Sequence, residues 1–420
     1  MTGGFALRPW LVRLHRWVGL SLAGLLVIIG LTGCIIAWFV PLDEAVNEDL
    51  WRVQPVGEAI SPLELRERME AADPRAHVYY IHFPERPDAT FSAYTEGAID
   101  PETGEVFDLD YDEVFANPYT GEGIGERMWG NFSFNREDLI TQIYFLHYSL
   151  VLPEELGEGF MGWVALIWAF DCFVGLALTF PIMRRIQGQG AGKPRKSWLA
   201  RWGVAWRFKR NAGSYRRVLD LHRAVSLWVW AMLLVFAVSG FALNIPDTYA
   251  SGLKSLVSYE DVEEIPDLAE PLVDPAVGWA QAHELGQSYM STLAAREGFE
   301  IERPTALIYR REKGAYFYRV QSDRDVVNYG MTIVGIDATT GALTAYEIPT
   351  GHRAGNTFTS WTAALHMAMV GGTPWKIFIS FMGLVVAMLS VTGAISWWRK
   401  RAARGSVRES DSHSWIADPA

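Results

Sequence analysis

The sequence lacks several features that would assign it to common classes of protein. It has only two cysteines in 420 residues. Cys34 lies near the end of one apolar run and Cys172 lies inside another, so the sequence predicts neither a disulfide framework nor a CxxC metal or redox motif. It also has no glycine fingerprint of a dinucleotide-binding fold. We therefore do not expect nicotinamide or flavin to bind within this chain.

Acidic and basic residues are segregated, so that long stretches have little charge of one sign. The net charge is −11, yet residues 184–217 contain eleven lysines and arginines and no acid, and Arg399-Lys400-Arg401 is again basic. Residues 41–140 and 246–350 are acidic on balance. The basic stretches flank apolar runs, which gives no support for nucleic-acid binding.

Apolar sequence occurs in four long runs. Each can cross a hydrocarbon core of about 30 Å, and they cover residues 14–40, 160–183, 219–245 and 375–398. The first follows several arginines, as in a signal peptide, but it is too long and has no clear cleavage site. We interpret it as a retained signal anchor. Because basic segments favour the cytoplasmic side, we expect both termini in the cytoplasm and two long segments outside.

These boundaries divide the chain into membrane and soluble parts. The predicted parts are the N-terminal end with the first span (1–40), a first outer module (41–140), an outer-face histidine helix with the second span (141–183), a basic cytoplasmic loop (184–218), the third span (219–245), a second outer module (246–355), another outer-face histidine helix with the fourth span (356–398) and a cytoplasmic tail (399–420). Within the outer modules, strands are predicted at 78–83, 90–94, 305–310, 316–321 and 331–336, and a helix at 279–297.

One short motif begins two of the apolar runs. Leu14-His15-Arg16 and Leu221-His222-Arg223 match, and 17 residues after each histidine a small polar residue precedes glycine, in Thr32-Gly33 and Ser239-Gly240. The match indicates an internal repeat.

A second pair of motifs matches at the opposite membrane face. The last glycine of the turn at 117–121 lies 26 residues before His147, and that of the turn at 337–341 lies 25 residues before His366. The two repeats together predict a duplicated membrane unit with one histidine per repeat at each face. An ionisable residue in a membrane segment indicates function, and bundle cores place cofactor ligands on facing helices.

Across these motifs the chain resembles the PepSY-associated transmembrane family, whose members include ferric-siderophore reductases of the bacterial inner membrane. The resemblance covers most of the chain and is carried in order by Leu14-His15-Arg16-Trp17-Val18-Gly19, Thr32-Gly33, Asn117-Pro118-Tyr119-Thr120-Gly121-Glu122, Leu146-His147-Tyr148-Ser149-Leu150, Asp171-Cys172-Phe173-Val174-Gly175, Leu178-Thr179-Phe180-Pro181, Leu221-His222-Arg223, Leu365-His366, Gly383, Thr392-Gly393 and Trp397-Trp398-Arg399-Lys400.

The resemblance implies a four-transmembrane-helix bundle built from two repeats, with two α+β PepSY-like periplasmic modules and two haems b. If the halves face each other, His15 and His222 ligate the iron of an inner haem, and His147 and His366 that of an outer one. Pairing within one repeat stays open. So does an outer His/Met site, since Met367 and Met369 follow His366.

Other residues have two interpretations at this stage. Arg16 and Arg223 suit haem propionates because the guanidinium matches a carboxylate, and they suit the cytoplasmic side equally well. Asp171 is interpreted as a structural or ligand-supporting carboxylate. The aromatic residues Trp129, Phe132, Phe134 and Tyr144 form either a docking shelf or an interfacial belt. Four outer histidines without metal-ligand spacing are interpreted as structural, namely His77, His82, His283 and His352.

The predicted function is transfer of electrons outward across the inner membrane, from a cytoplasmic donor or a quinol, to reduce iron(III) held by a ferric siderophore. Iron(III) prefers hard oxygen donors more strongly than iron(II), so reduction loosens the metal. Two alternatives remain. One is a non-enzymatic membrane protein whose PepSY modules bind or regulate a periplasmic partner. The other is a haem-containing sensor or electron-transfer subunit with a different acceptor.

Overall fold

A computed structural model of the chain describes residues 4–129, 133, 135–182, 197–262 and 264–414. Phe132, Phe134, Met183 at the end of the second predicted span, residues 184–196 of the predicted basic loop and residues 415–420 of the tail lie outside the described residues. The chain forms two compact units. The first comprises Met1–Ile35, Glu155–Asn244 and Ile377–Ala420, and the second comprises Ile36–Glu154 and Ile245–Lys376.

Helices dominate the first unit, and helices and strands share the second. The helices are α1 (Gly4–Ile36), α2 (Phe39–Val46), α3 (Glu48–Trp51), α4 (Pro62–Ala72), α5 (Leu139–Ser149), α6 (Glu154–Thr179), α7 (Trp198–Trp202), α8 (Ser214–Trp228), α9 (Trp230–Asn244), α10 (Pro246–Lys254), α11 (Trp279–Glu297), α12 (Ala354–His366) and α13 (Gly372–Ser414). The strands are β1 (Ala76–His82), β2 (Phe91–Gly97), β3 (Glu113–Ala116), β4 (Gly123–Arg127), β5 (Ile301–Arg310), β6 (Ala315–Ser322), β7 (Thr332–Asp337) and β8 (Leu343–Glu347).

Three helices in the described part of the chain are long and apolar enough to cross a membrane, at Leu7–Ile36, Glu155–Thr179 and Gly372–Ala402. The last belongs to α13, which continues into the predicted tail. The chain is thus a membrane protein with three such helices, or four if α8 and α9 form one span.

The predicted third span (219–245) differs from a straight helix, because α8 and α9 are bent by 70°. The two helices meet at Val229, and they differ in polarity. Asp220 and Arg223 lie in the middle of α8, whereas the apolar helix α9 has only 15 residues. At 1.5 Å per residue it is about 22 Å long, shorter than a hydrocarbon core of about 30 Å.

Close contact between α1 and α13 within the first unit depends on two glycines. A Cβ on Gly30 would lie 2.6 Å from the carbonyl oxygen of Gly383, and a Cβ on Gly383 would lie 2.3 Å from that of Gly30. Beside them, Cys34 Sγ donates to the carbonyl of Ser380 at 3.0 Å. Small residues let membrane helices approach in this way. Gly30 and Gly383 therefore allow α1 and α13 to approach closely.

The strands form one eight-stranded sheet rather than two separate modules, with the order β4-β3-β2-β1-β5-β6-β7-β8. Each predicted module supplies a helix and a four-stranded meander. The meanders join where β1 pairs antiparallel with β5, with Tyr80 opposite Ile308 and His82 opposite Ala306. The expectation of two independent α+β modules missed this pairing, because isolated sequence patterns do not indicate which strand edges meet. The five predicted strands and the predicted helix are present.

The two matching turns have the same hydrogen bonds. Asn117 Oδ1 accepts from the backbone N–H of Tyr119 at 2.9 Å, and Asp337 Oδ1 accepts from that of Thr339 at 3.0 Å. Each turn ends on a glycine with positive φ, 78° at Gly121 and 74° at Gly341, a conformation that glycine adopts without steric cost. The sequence repeat between the outer segments is therefore a structural repeat within the sheet.

A buried charge cluster attaches α2 to the edge of the sheet. Arg127 Nε donates to Glu113 at 2.5 Å, and its Nη1 donates to Asp43 at 3.0 Å. The side chains of Arg127, Asp43 and Glu113 are 1%, 0% and 2% exposed. Trp51 and Trp129 donate further hydrogen bonds to these two carboxylates. The charges are thus paired, as buried charges must be.

We predict that Arg127→Gln destabilises the protein by about 3–5 kcal/mol, because it leaves two carboxylates buried without their counter-charge. The measurement is chemical unfolding of the full chain in detergent, followed by near-ultraviolet circular dichroism. The control is Arg136→Gln, which removes an exposed ion pair with Asp49 and should cost about 1 kcal/mol or less. Equal stability of the two variants would contradict this account of the cluster.

Candidate functional site: two histidine pairs

The first unit brings His15 of α1 and His222 of α8 together. Their ring centroids are 6.3 Å apart, with an angle of 53° between the ring planes. His15 Nδ1 donates to the Asp171 carboxylate, 2.9 Å from Oδ2. His222 Nδ1 donates to the carbonyl oxygen of Leu389 at 3.0 Å. Because carboxylates and carbonyls only accept, each ring carries its proton on Nδ1, and Nε2 is the nitrogen with an available lone pair.

Glycines leave space against both rings. A Cβ on Gly175 of α6 would lie 3.4 Å from His15 Cε1, and a Cβ on Gly393 of α13 would lie 3.2 Å from His222 Cε1. Both glycines line a cavity of about 1450 Å³ that also contains the two rings and Asp171. Larger side chains at these two positions would press on the imidazoles.

The same cavity is lined by cations. They are Arg8, Arg13, Arg16, Arg223, Lys400 and Arg401. Arg16 and Arg223 each have a buried Nε without a hydrogen-bond partner, but Arg223 Nη2 also donates to the buried carboxylate of Asp220 at 2.8 Å. The two arginines therefore differ. Arg16 is available for an anionic group in the cavity, and Arg223 already has a protein counter-ion.

The second unit brings His147 of α5 and His366 of α12 together. Their ring centroids are 6.2 Å apart, with an angle of 70° between the ring planes. This separation is nearly that of the first pair. In both units the close histidines come from different sequence repeats, so neither closely spaced pair lies within one repeat. Met367 and Met369 follow directly in the chain.

The helices that carry the second pair end in backbone conformations unusual for their residues. Leu150 and Val151, shortly after His147, have φ of 60° and 58°, and Ala368, two residues after His366, has φ of 58°. A β-branched residue such as Val151 is rare at positive φ. Such residues occur where the surrounding structure holds the backbone in place, often at functional sites. The two turns thus fix where each histidine helix stops.

The remaining predicted site residues divide between roles. Asp171 is 8% exposed and contacts His15, as the interpretation of Asp171 as a ligand-supporting carboxylate requires. Trp129 and Tyr144 have ring centroids 5.9 Å apart and pack in the second unit. Sequence analysis missed the hydrogen bond from His222 to Leu389 because a backbone acceptor has no residue signature. In the sequence, Gly175 and Gly393 were identified only within motifs shared with the family. Their positions against the rings were not predicted.

Among the described residues, no group of three or more His, Cys, Asp or Glu side chains is arranged to hold a metal ion.

A family model described as the PepSY-associated TM region matches residues 12–400, which include both histidine pairs and the whole sheet. No curated protein matches the chain.

Glu347 connects the sheet to the helix that carries His366. Asn356, which is 1% exposed on α12, donates from Nδ2 to Glu347 Oε1 at 2.9 Å. Burial raises the pKa of Glu347 from 4.5 to about 7, with Asn356 opposing the shift. Because the folded-state pKa lies above the unfolded value, folded protein binds more protons than unfolded protein between these pH values.

We predict that stability falls as pH rises from about 4.5 to about 7 through this group, and that Glu347→Gln removes roughly 1–3 kcal/mol of that dependence. The measurement is the unfolding midpoint in detergent at several pH values, compared with wild type. Glu302→Gln, at an exposed glutamate, serves as the control. An unchanged pH profile in Glu347→Gln would show that this carboxyl is not the group responsible.

Proposed function

Because the chain belongs to the PepSY-associated transmembrane family, we propose that it is a b-type haem protein of the bacterial inner membrane. In this proposal it carries electrons outward to reduce siderophore-bound iron(III) in the periplasm. The observation that carries the proposal is the recurrence of one imidazole separation, 6.3 Å and 6.2 Å, in two units of the chain. The family match alone supports only a membrane protein of this family.

The imidazole separation agrees with ligation of one metal by two rings. A metal about 2 Å from one nitrogen of each ring separates the ring centroids by about 6 Å, since each nitrogen lies about 1 Å from its ring centre. The cavity against Gly175 and Gly393 supplies room beside the first pair for a flat macrocycle.

In this proposal each residue of the two sites has one role. His15 and His222 hold one haem and His147 and His366 the other, while Asp171 fixes the tautomer and orientation of His15. Arg16 binds a propionate, since its guanidinium nitrogen is buried without a partner and a propionate satisfies it. When bound, haem supplies reversible one-electron chemistry. The surrounding helices exclude water, which keeps the neutral imidazoles as ligands.

The orientation follows from charge. The basic segments around residues 184–217 and 399–401 lie in the cytoplasm, and the sheet lies in the periplasm. This topology gives the donor, a quinol or a cytoplasmic reductant, access on the side of His15 and His222. The ferric siderophore is accepted on the side of the sheet.

We predict that the four variants His15→Ala, His222→Ala, His147→Ala and His366→Ala each lose about half of the bound haem, because each removes one axial ligand. The measurement is haem per polypeptide in protein purified after expression with ample haem, together with the visible spectrum. His283→Ala, outside both pairs, should retain full haem content. Two haems retained in all four variants would refute the assignment, and a wild type without haem would favour a purely structural PepSY protein.

Reduction of the substrate needs its own test. Dithionite-reduced protein should be reoxidised by a ferric siderophore and not by the iron-free form. If haem is bound but ferric siderophores do not reoxidise the reduced protein, the result would favour a sensor or an electron-transfer subunit with another acceptor.

We further predict that Asp171→Asn raises the potential of one of two haems by tens of millivolts. The carboxylate makes His15 a stronger donor, which favours iron(III), and an amide does so less. Spectroscopic redox titration measures the effect. Thr392→Val is the matched control, because His222 keeps its backbone acceptor when the Thr392 hydroxyl, 3.3 Å from Nδ1, is removed. A potential in Asp171→Asn equal to that of wild type would contradict this role.

A further inference from the structure

A row of side chains crosses the seam between the two halves of the sheet. His82 of β1 is opposite Ala306 of β5, and Ala306 is opposite Arg319 of β6. Neighbouring residues in register lie on the same face of a sheet. The next residue on β6, Tyr318, packs on α11 through Gly286, so Arg319 and its row lie on the face away from α11. Because Ala306 has a small side chain, the side chains of this row project least from the sheet at Ala306, between His82 and Arg319.

Aromatic rings surround one end of this row. The ring centroids of Tyr80 and His82 are 4.6 Å apart, those of Tyr80 and Tyr94 are 5.5 Å apart, and those of His82 and Tyr94 are 5.6 Å apart. Tyr80, His82, Tyr94 and Arg319 are each half-buried, so part of each side chain stays accessible. We call Arg319, Ala306, Tyr80, His82 and Tyr94 the Arg319 recess.

Arg319 has no counter-ion within the part of the chain that the structure describes. Its one hydrogen bond is from Nη1 to the Tyr80 hydroxyl, at a long 3.5 Å, and its Nε is buried with no partner. A guanidinium removed from water without a carboxylate costs free energy. The cost is offset when an anion binds.

Other buried arginines of the sheet are paired. Arg127 binds two carboxylates, and Arg311 lies 3.2 Å from Glu96. Glu347, two strands from Arg319 in register, is close enough for the charge of Arg319 to lower its pKa. The two side chains form no ion pair within 4 Å, and the Glu347 carboxylate accepts a hydrogen bond from Asn356. Arg319 thus differs from Arg127 and Arg311 in having no carboxylate of the described residues within 4 Å.

His82 does not add a second positive charge to the recess. Burial and, to a smaller extent, the charge of Arg319 lower the pKa of His82 to about 4. At neutral pH the imidazole is uncharged and offers one donor and one acceptor. Arg319 therefore supplies the positive charge of the recess, beside the aromatic rings and the two tyrosine hydroxyl groups.

Ring contacts connect the recess with the helix that carries His147. Tyr94 and Trp129 have centroids 6.1 Å apart, and Trp129 and Tyr144 have centroids 5.9 Å apart. Tyr144 precedes His147 by three residues on α5, and all of these residues belong to the second unit. A molecule in the recess is therefore separated from that helix only by rings in contact.

We propose that the Arg319 recess binds the iron(III) chelate, and that it selects chelates with net negative charge and aromatic oxygen donors, the catecholate class. This inference rests on the proposed function, whose substrate it specifies. The guanidinium neutralises the anionic oxygens through charge-assisted hydrogen bonds. Tyr80, Tyr94 and His82 present rings that pack against aromatic donors, and a neutral trihydroxamate chelate gains neither interaction.

Gallium(III) chelates test binding without electron transfer, because gallium(III) matches iron(III) in charge and is not reduced. Calorimetry on the full chain in detergent should show tighter binding of a gallium(III) tris-catecholate than of a gallium(III) trihydroxamate. Arg319→Gln should weaken the tris-catecholate by about tenfold or more, Arg319→Lys less, and Tyr80→Phe less still. The control Arg296→Gln removes an equal charge from α11, on the other side of the sheet, and should bind as wild type does.

Equal affinity of wild type and Arg319→Gln, or equal affinity for the two chelates, would overturn the proposal. Haem content and unfolding midpoint of Arg319→Gln, expected at wild-type values, show that the variant is folded. If the gallium chelate binds through Arg319 but ferric tris-catecholate fails to reoxidise reduced protein, the proposed reductase function is wrong. The assignment of the Arg319 recess as a chelate-binding site would still hold. If reoxidation occurs equally in Arg319→Gln, the reductase stands and the recess does not hold the chelate.

Discussion

Both proposed haem sites depend on one constraint, the separation of two imidazole rings held by helices from different sequence repeats. In the first unit, hydrogen bonds from Nδ1 to Asp171 and to the Leu389 carbonyl orient the rings and would leave Nε2 of each for the iron of the proposed haem. The glycines at 175 and 393 give those rings space. If either the hydrogen bonds or the glycines were absent, the same two histidines would be ordinary polar residues at a membrane helix.

The two histidine pairs are alike in spacing but differ in surroundings. The ring of His15 faces a carboxylate, whereas that of His222 faces a backbone carbonyl. A carboxylate partner makes imidazole a stronger electron donor than a carbonyl does. The cations that line the first cavity act in the opposite sense, because positive charge favours the reduced metal. The Asp171 carboxylate and the cations would therefore shift the potential of the proposed haem in opposite directions. Because they are different residues, substitutions can change each effect separately.

The sheet has a function beyond rigidity in this account. Pairing of β1 with β5 joins the two halves of the outer unit and creates a seam that neither half has alone. The proposed chelate recess lies at that seam, and the buried cluster around Arg127 attaches α2 to one edge of the same sheet. Duplication thus supplies a binding position between the copies, while each copy alone supplies one histidine to the pair in that unit.

Local and repeated features were predictable from the sequence, whereas contacts between distant segments were not. The strands at 78–83 and 331–336, the helix at 279–297 and the glycine turns follow from short-range patterns, and the histidines were identified by their repeated context. The bend between α8 and α9 was missed because it occurs at Val229, inside an apolar run that has no glycine or proline near that position. The β1–β5 pairing and the partners of His222 and Arg319 depend on tertiary contacts that no local pattern encodes.

The most direct test of the central claim is the haem stoichiometry and spin state of the purified wild-type protein. The account predicts about two haems b per chain, both with the low-spin visible and electron paramagnetic resonance spectra of bis-histidine ligation. Protein that is folded, was produced with ample haem and yet shows no Soret band, or shows only high-spin haem, would contradict it.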